Sequence, residues 1–196
     1  MKKSKLGDIS IIKGGKRLPK NHSLTDSKTL HPYIKVKDMC NDKVIELDET
    51  FEYIGEDTYN IISNYYVNKN DIIISIVGTI GNINMIGSSL NNANLTENCV
   101  KITELKEITN DYLYYYLSSP IGKNEIQQGI VGAVQKKLPI KNIKKISIEY
   151  PNTFIQSKIV KILSSIDQKI ELNKKINNNS ISIRIFIASF FTDYYL

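Results

Sequence analysis

From Thr153 to Asn173 the chain runs for many turns without a proline or a glycine, directly after Pro151. Ile155, Ile159, Ile162, Leu163, Ile166, Ile170 and Ile176 recur at three- and four-residue steps, while Lys158, Lys161, Asp167, Lys169, Glu171 and Lys174 take the other faces. This spacing predicts a long amphipathic helix whose apolar stripe needs a partner helix. Placed behind a polar domain, it reads as a spacer that positions domains rather than as an enzyme's core. Thr153 and Gln156 stand at capping-box spacing, which assigns Gln156 to the helix start rather than to a ligand. Asn173 and Asn177 continue the seam of Ile159, Leu163, Ile166 and Ile170, and two readings stay open there. Either a buried amide fixes the register of paired helices, or the helix becomes exposed at that point. The run Asn177 to Ser180 is where the helix is expected to fray or break.

With 196 residues and 41% hydrophobic content, the chain suits one globular domain plus an extension. The expected division is a domain over 1–151, a spacer and dimerisation helix over 152–179, and a short C-terminal segment over 180–196. The formal charge of +6 permits an anionic partner. Its distribution says more than its size. Between Val44 and Asn68 there are six acidic residues and no basic one, so the positive charge gathers elsewhere. It lies at Lys13, Lys16, Arg17 and Lys20, at Lys35 and Lys37, and at Lys136, Lys137, Lys141, Lys144 and Lys145, which suggests a polarised surface.

Cys40 and Cys99 are too few for a disulfide framework, and with His22 and His31 they show no zinc-ligand spacing. No metal site is expected, and a reduced cytoplasmic setting is the default. The opening Met1 to Lys5 lacks the apolar stretch of a signal peptide. Ile181 to Phe191 contains Arg184 and is too short to span a bilayer, so no membrane is expected.

The mix of elements predicts a strand-rich α+β domain followed by one helical tail. Leu6 to Lys13 reads as a first strand or turn, followed by a long polar loop to Leu30. From Pro32 to Asp38 residues alternate, with Ile34 and Val36 on one side and Tyr33, Lys35 and Lys37 on the other. Asn70 to Val77 is a β-branched run of a kind buried on both faces, and the Gly78 to Gly81 turn folds it into a hairpin with Asn82 to Ile86. Glu97 to Thr103 adds a strand. Asn110 to Leu117 and Gly122 to Gln128 read as helices, with Leu113, Tyr116 and Leu117 facing the core. Lys145 to Pro151 closes the domain as a strand.

Gly14 and Gly15 with Lys16 and Arg17 offer a phosphate cradle in outline, but no Lys-Ser/Thr pair follows a second glycine as in a P-loop, and a solvated loop is preferred. In the loop Gly129 to Pro139, Gln135 has the chemistry to read a base edge, and Lys136 and Lys137 to grip phosphates. Tyr112, Tyr114, Tyr115 and Tyr116 are assigned to the core before base stacking. Glu104 and Lys106 form a carboxylate-x-lysine pattern, but no suitably placed acidic strand end precedes it. No methyl-donor fingerprint, Walker motif, acid-rich metal cluster or catalytic triad is legible, so no catalytic residue is expected.

Taken in order, several segments resemble the specificity subunit of type I restriction-modification systems, in a form with one target-recognition domain and one spacer helix. Gly15 to Lys20 with Pro32 to Met39 is similar to the family's opening loop and first core strand. Asp71 to Gly81 resembles its central segment, although Asn70 stands where a glycine is usual. Asn94 to Thr96, Tyr112 to Ser119, Gly132 to Leu138, Ile148 to Pro151 and Gln156 to Leu163 follow in the family's order, and Arg184 to Tyr194 resembles the segment after the first spacer helix. The resemblance implies a non-catalytic module that binds double-stranded DNA. It also implies modification subunits that use S-adenosylmethionine, and restriction subunits that use ATP and Mg, as partners. A usual subunit carries two recognition domains and two spacers. This sequence looks like half of one, and two copies pairing their helices antiparallel through Ile159, Leu163, Ile166, Ile170 and Asn173 would restore two-fold symmetry and a palindromic target.

From charge and position, the expected DNA contacts are Lys16, Arg17, Lys35, Lys37, Gln135, Lys136 and Lys137, with Thr79 and Asn82 at the hairpin turn. An alternative reading is an interaction or decoy protein that exchanges into, or occupies, modification subunits. A small nuclease is a third reading, opposed by the missing acidic cluster.

Overall fold

Ile72, Ile73, Ile74 and Ser75 are all buried, and the strand they form lies at the centre of the molecule's largest sheet. β-branched residues suit that position, because their side chains pack on both faces of a pleated strand. The computed structural model describes the backbone of residues 1–195 and the side chains of residues 1–177. In chain order its elements are β1 (Lys2–Lys5), β2 (Ile11–Gly14), β3 (Pro32–Ile34), β4 (Val44–Ile45), β5 (Glu52–Tyr53), α1 (Glu56–Ile62), β6 (Ile72–Ser75), β7 (Ile83–Ile86), β8 (Asn94–Leu95), β9 (Cys99–Thr103), α2 (Asn110–Ser118), α3 (Pro120–Gln128), α4 (Ile140–Ile143), β10 (Ser147–Tyr150) and α5 (Thr153–Tyr195). The fold is α+β, as the sequence implies.

The five-stranded sheet has the order β2-β9-β6-β7-β4, the three-stranded sheet the order β5-β3-β8, and β1 pairs with β10. β6 and β7 form the expected antiparallel hairpin, with Ile74 opposite Ile83. One face of the large sheet carries Ile73 into a core with Ile34, Phe51, Val67, Ile86, Leu90 and Leu95. Burying one such isoleucine stabilises the fold by roughly 1.5–3 kcal/mol. α2 packs on β7. Asn84, in the middle of β7, donates to the carbonyls of Cys40 (3.1 Å) and Asp42 (2.7 Å), tying that loop to the sheet.

The structure corrects three local expectations. β3 ends at Ile34, because Asp38 accepts a hydrogen bond from the Lys35 amide at 2.7 Å and turns Val36–Asp38 into a 3-10 turn. Both faces of β3 are buried, Tyr33 included, so the alternation from Pro32 to Asp38 is not that of a half-exposed strand. On α2 the buried positions are Tyr112, Leu113 and Leu117, whereas Tyr116 is half-buried with its hydroxyl on the Ser147 carbonyl at 3.2 Å. At the start of α5 the cap is Asn152, whose side chain accepts from the Ile155 amide at 3.0 Å. Gln156 is fully buried and turns to the loop before α2. It accepts from the Thr109 amide and donates to the carbonyls of Glu107 and Pro151, each at 2.9 Å.

The chain divides into a unit of residues 1–156 and a second from residue 157 onward. The second unit is helix throughout its described backbone, so α5 continues through the asparagine run where a break is expected from sequence. The boundary expected at residue 179 lies beyond the described side chains.

Candidate nucleic-acid interface

Strand register brings three loops to one end of the five-stranded sheet. Gly14, the last residue of β2, faces Val100, and Ser75, the last of β6, faces Cys99 at the start of β9. The loop after Gly14 and the β6–β7 turn therefore leave the sheet side by side. The loop 129–138 joins them, because the Leu138 amide donates to the Ile76 carbonyl at 2.9 Å. Lys16 and Arg17, Thr79 and Asn82, and Gln135, Lys136 and Lys137 thus share a sheet end, although they are far apart in sequence.

Each loop is held by its own local chemistry. Gly15 lies so close to the segment before β9 that an added β-carbon would sit 2.0 Å from the Thr96 carbonyl oxygen. Its amide donates to Cys99 (3.0 Å) and that of Lys16 to Leu95 (2.8 Å), so these donors are engaged within the protein and do not form a phosphate cradle. The turn after β6 takes positive φ at Gly78 and Gly81, a conformation glycine adopts without strain. Buried Ser75 staples it, accepting from the Asn82 amide at 2.9 Å and donating to the Thr79 carbonyl. The late loop is closed by reciprocal 2.9 Å bonds between Val131 and Lys137, with Gly132 at φ +102°. Asn142 ties its base through the Gly129 carbonyl at 2.8 Å. Val134, Gln135, Lys136 and Lys137 are all exposed at its tip.

The cations at this end are not equivalent. Lys16 is exposed, with its ammonium 5.4 Å from the Tyr65 ring centre. Arg17 is 80% exposed and meets Glu97 at 2.7 Å. Burial pushes the Glu97 carboxyl up, but the Arg17 guanidinium and local hydrogen bonds outweigh it and hold the group below the usual range. Lys35 is set apart. Its ammonium is largely buried against Glu52, which also binds Lys37 at 2.6 Å. Burial is the main force on that ammonium, pushing it down to about 8, while Asp38 pulls the other way. Lys35 therefore faces inward, and Lys37 remains the exposed member of the pair. Glu52, Ser75, Glu97 and Val134 escaped the sequence reading, since their importance depends on which residues the register sets beside them.

The two histidines serve the scaffold. His22 bonds Thr58 at 2.7 Å, and His31 bonds Glu56 at 2.8 Å while stacking on Tyr59, pinning the early polar loop to α1. Among the described residues no group of His, Cys, Asp or Glu is placed to hold a metal ion. No described helix is long and apolar enough to cross a membrane.

The family model for the type I restriction modification DNA specificity domain matches residues 1–179. The chain belongs to that family. Among curated proteins, the chain is similar to the type I restriction enzyme EcoBI specificity subunit of Escherichia coli, at 30% identity over 114 residues, covering 57% of the chain and 24% of the relative. Two solved structures share its fold. One, from work on complex assembly and conformational transition of the type I R-M system, has a TM-score of 0.69 at 16% identity, covering 91% of this chain and 41% of that one. The other, the HsdS subunit from Thermoanaerobacter tengcongensis, has a TM-score of 0.66 at 16% identity, covering 89% and 39%. The chain thus spans about a quarter of the curated relative's length and about two-fifths of the structural ones.

On α5, Ile159 and Leu163 are half-buried while Ile166, Ile170 and Asn173 are exposed. Ile162 and Ile176 are exposed as well, so the apolar stripe is only partly covered within one chain.

Proposed function

We propose that the chain reads one half of a bipartite double-stranded DNA target, and that α5 pairs antiparallel with α5 of a second copy to hold two reading domains a fixed distance apart. The observation that carries the first part is the convergence at one sheet end of the two kinds of group that DNA recognition needs. Lys16, Lys136 and Lys137 suit phosphates, and Gln135, Asn82 and Thr79 have the donors and acceptors that suit base edges. Arg17 joins them by exchanging Glu97 for a phosphate, and Lys37 sits at the margin.

The second part is supported by the exposed isoleucines of α5, an apolar stripe that a partner helix would bury. Paired over residues 153–177, the helix spans roughly 37 Å at about 1.5 Å per residue. That length is close to one DNA turn of about 34–36 Å. A two-fold pairing makes the target palindromic and gapped.

In this reading the chemistry belongs to other subunits. Modification subunits bring S-adenosylmethionine and methylate adenine, restriction subunits bring ATP and Mg, and this chain decides where they act. Replacing Lys136 and Lys137 together with alanine tests the interface: the slope of log affinity against log salt should flatten by roughly 2, at about 0.9 per phosphate contact. An unchanged slope would remove the late loop from the interface.

A further inference from the structure

A cavity of about 270 Å³ opens at the edge of the five-stranded sheet, lined by Lys13, Gly14, Asn64, Tyr65, Tyr66, Leu95 and Lys101. Lys13 and Lys101 are directly opposed in the β2–β9 ladder, and opposed residues of an antiparallel pair share a face with their β-carbons about 5 Å apart. Like charges in that position are destabilising unless an anion relieves them. Lys101 is 8% exposed and committed within the protein. Its ammonium donates to the Tyr66 carbonyl at 2.5 Å, lies over the Tyr66 ring at 4.5 Å and has Asp71 at 3.7 Å. Lys13 is exposed, and no carboxylate lies within ion-pair distance of it among the described residues. Glu104 acts on Lys101 more weakly than Asp71 does. Lys16, two residues beyond the cavity's Gly14, adds an ammonium over Tyr65. Lys13 and Lys101 thus line one cavity with Asn64 and two tyrosines, the Lys101 ammonium turned to Asp71 and the Lys16 ammonium over the Tyr65 ring.

We propose that this cavity seats a phosphate diester of the DNA backbone, bound by the ammonium groups of Lys13 and Lys16 with Asn64 and the tyrosine hydroxyls as neutral donors. The inference rests on the DNA-specificity reading above and extends its footprint from the loop tips to the sheet edge. A diester is the class that fits: a single negative charge with several acceptor oxygens answers two free cations and neutral donors. A contact to the phosphate backbone positions the protein and carries no sequence information directly.

The test uses the purified full chain and a mixed-sequence duplex, with affinity measured by fluorescence anisotropy across about 50–200 mM salt. Lys13→Gln should lower the salt slope by about 1, at about 0.9 per phosphate. Lys13→Arg should restore it, and Lys106→Gln, at the opposite end of the sheet, should leave it alone. A Lys13→Gln slope equal to that of the wild type overturns the phosphate seat while leaving the loop-tip interface standing. Self-association of Lys13→Gln with an unchanged slope would likewise overturn it, making Lys13 a guard of the exposed strand edge. A wild-type chain that binds no duplex even at low salt overturns both readings.

Discussion

At Gly15 a β-carbon would lie 2.0 Å from the Thr96 carbonyl oxygen and 2.3 Å from that of Leu95, and both neighbours are backbone, which cannot swing aside. Gly15→Ala should therefore destabilise the domain by about 2–3 kcal/mol, read from urea unfolding, in the range of overpacked sites. Gln156 fails for the opposite reason. Gln156→Ala leaves the Thr109 amide and the Glu107 and Pro151 carbonyls without their partner in a buried setting. A loss of about 2–4 kcal/mol is expected, since each buried orphan group costs roughly 1–3 kcal/mol. Little or no loss would return Gln156 to a solvent-exchangeable cap. The two cysteines should also separate chemically. Cys40 is exposed, whereas burial pushes the Cys99 thiol up to about 12, so at neutral pH it is not a thiolate. A thiol reagent should label one group in the native protein and both in denaturant.

Among the elements, those specified by local periodicity were legible and those specified by long-range pairing were not. The β-branched run from Ile72 to Ile74 announced a strand buried on both faces, and glycines at positions 78 and 81 announced its turn. Ile73→Ala should cost about 2–5 kcal/mol, the range for truncating a well-packed core side chain. β1 gave no such signal, because Lys2–Lys5 is a polar segment that becomes a strand only by pairing with β10, braced by Lys2–Glu107 and Lys3–Glu149. β3 misled for a local reason, the Asp38 side chain bending the backbone after Ile34. The helix α5 was plain from its stripe, but its cap was not, since Asn152 and Thr153 both suit the role and only the Ile155 amide decides between them. If α5 is a pairing surface, Ile166→Lys with Ile170→Lys should shift sedimentation from dimer to monomer without altering the unfolding of residues 1–156. A dimer that persists would place the pairing elsewhere.

Across the whole molecule, charge was legible as composition and misleading as a map. The acidic segment from Val44 to Asn68 is less an outward patch than a set of braces: Glu46 holds the turn at Ser88 and Ser89, Glu52 holds Lys35 and Lys37, and Glu56 holds His31. The candidate interface was legible as a set of residue types, since Lys16, Arg17, Gln135, Lys136 and Lys137 stand out in the sequence. Their meeting was not, because it depends on Gly14 facing Val100, Ser75 facing Cys99, and Leu138 reaching Ile76. The central claim is that this assembly selects DNA sequence, one half-site per domain. Methylome sequencing of cells that carry the chain with a modification subunit tests it most directly. A palindromic, gapped adenine-methylation motif that vanishes when the chain is deleted is expected; an ungapped motif, or one unchanged by the deletion, would overturn the half-site reading.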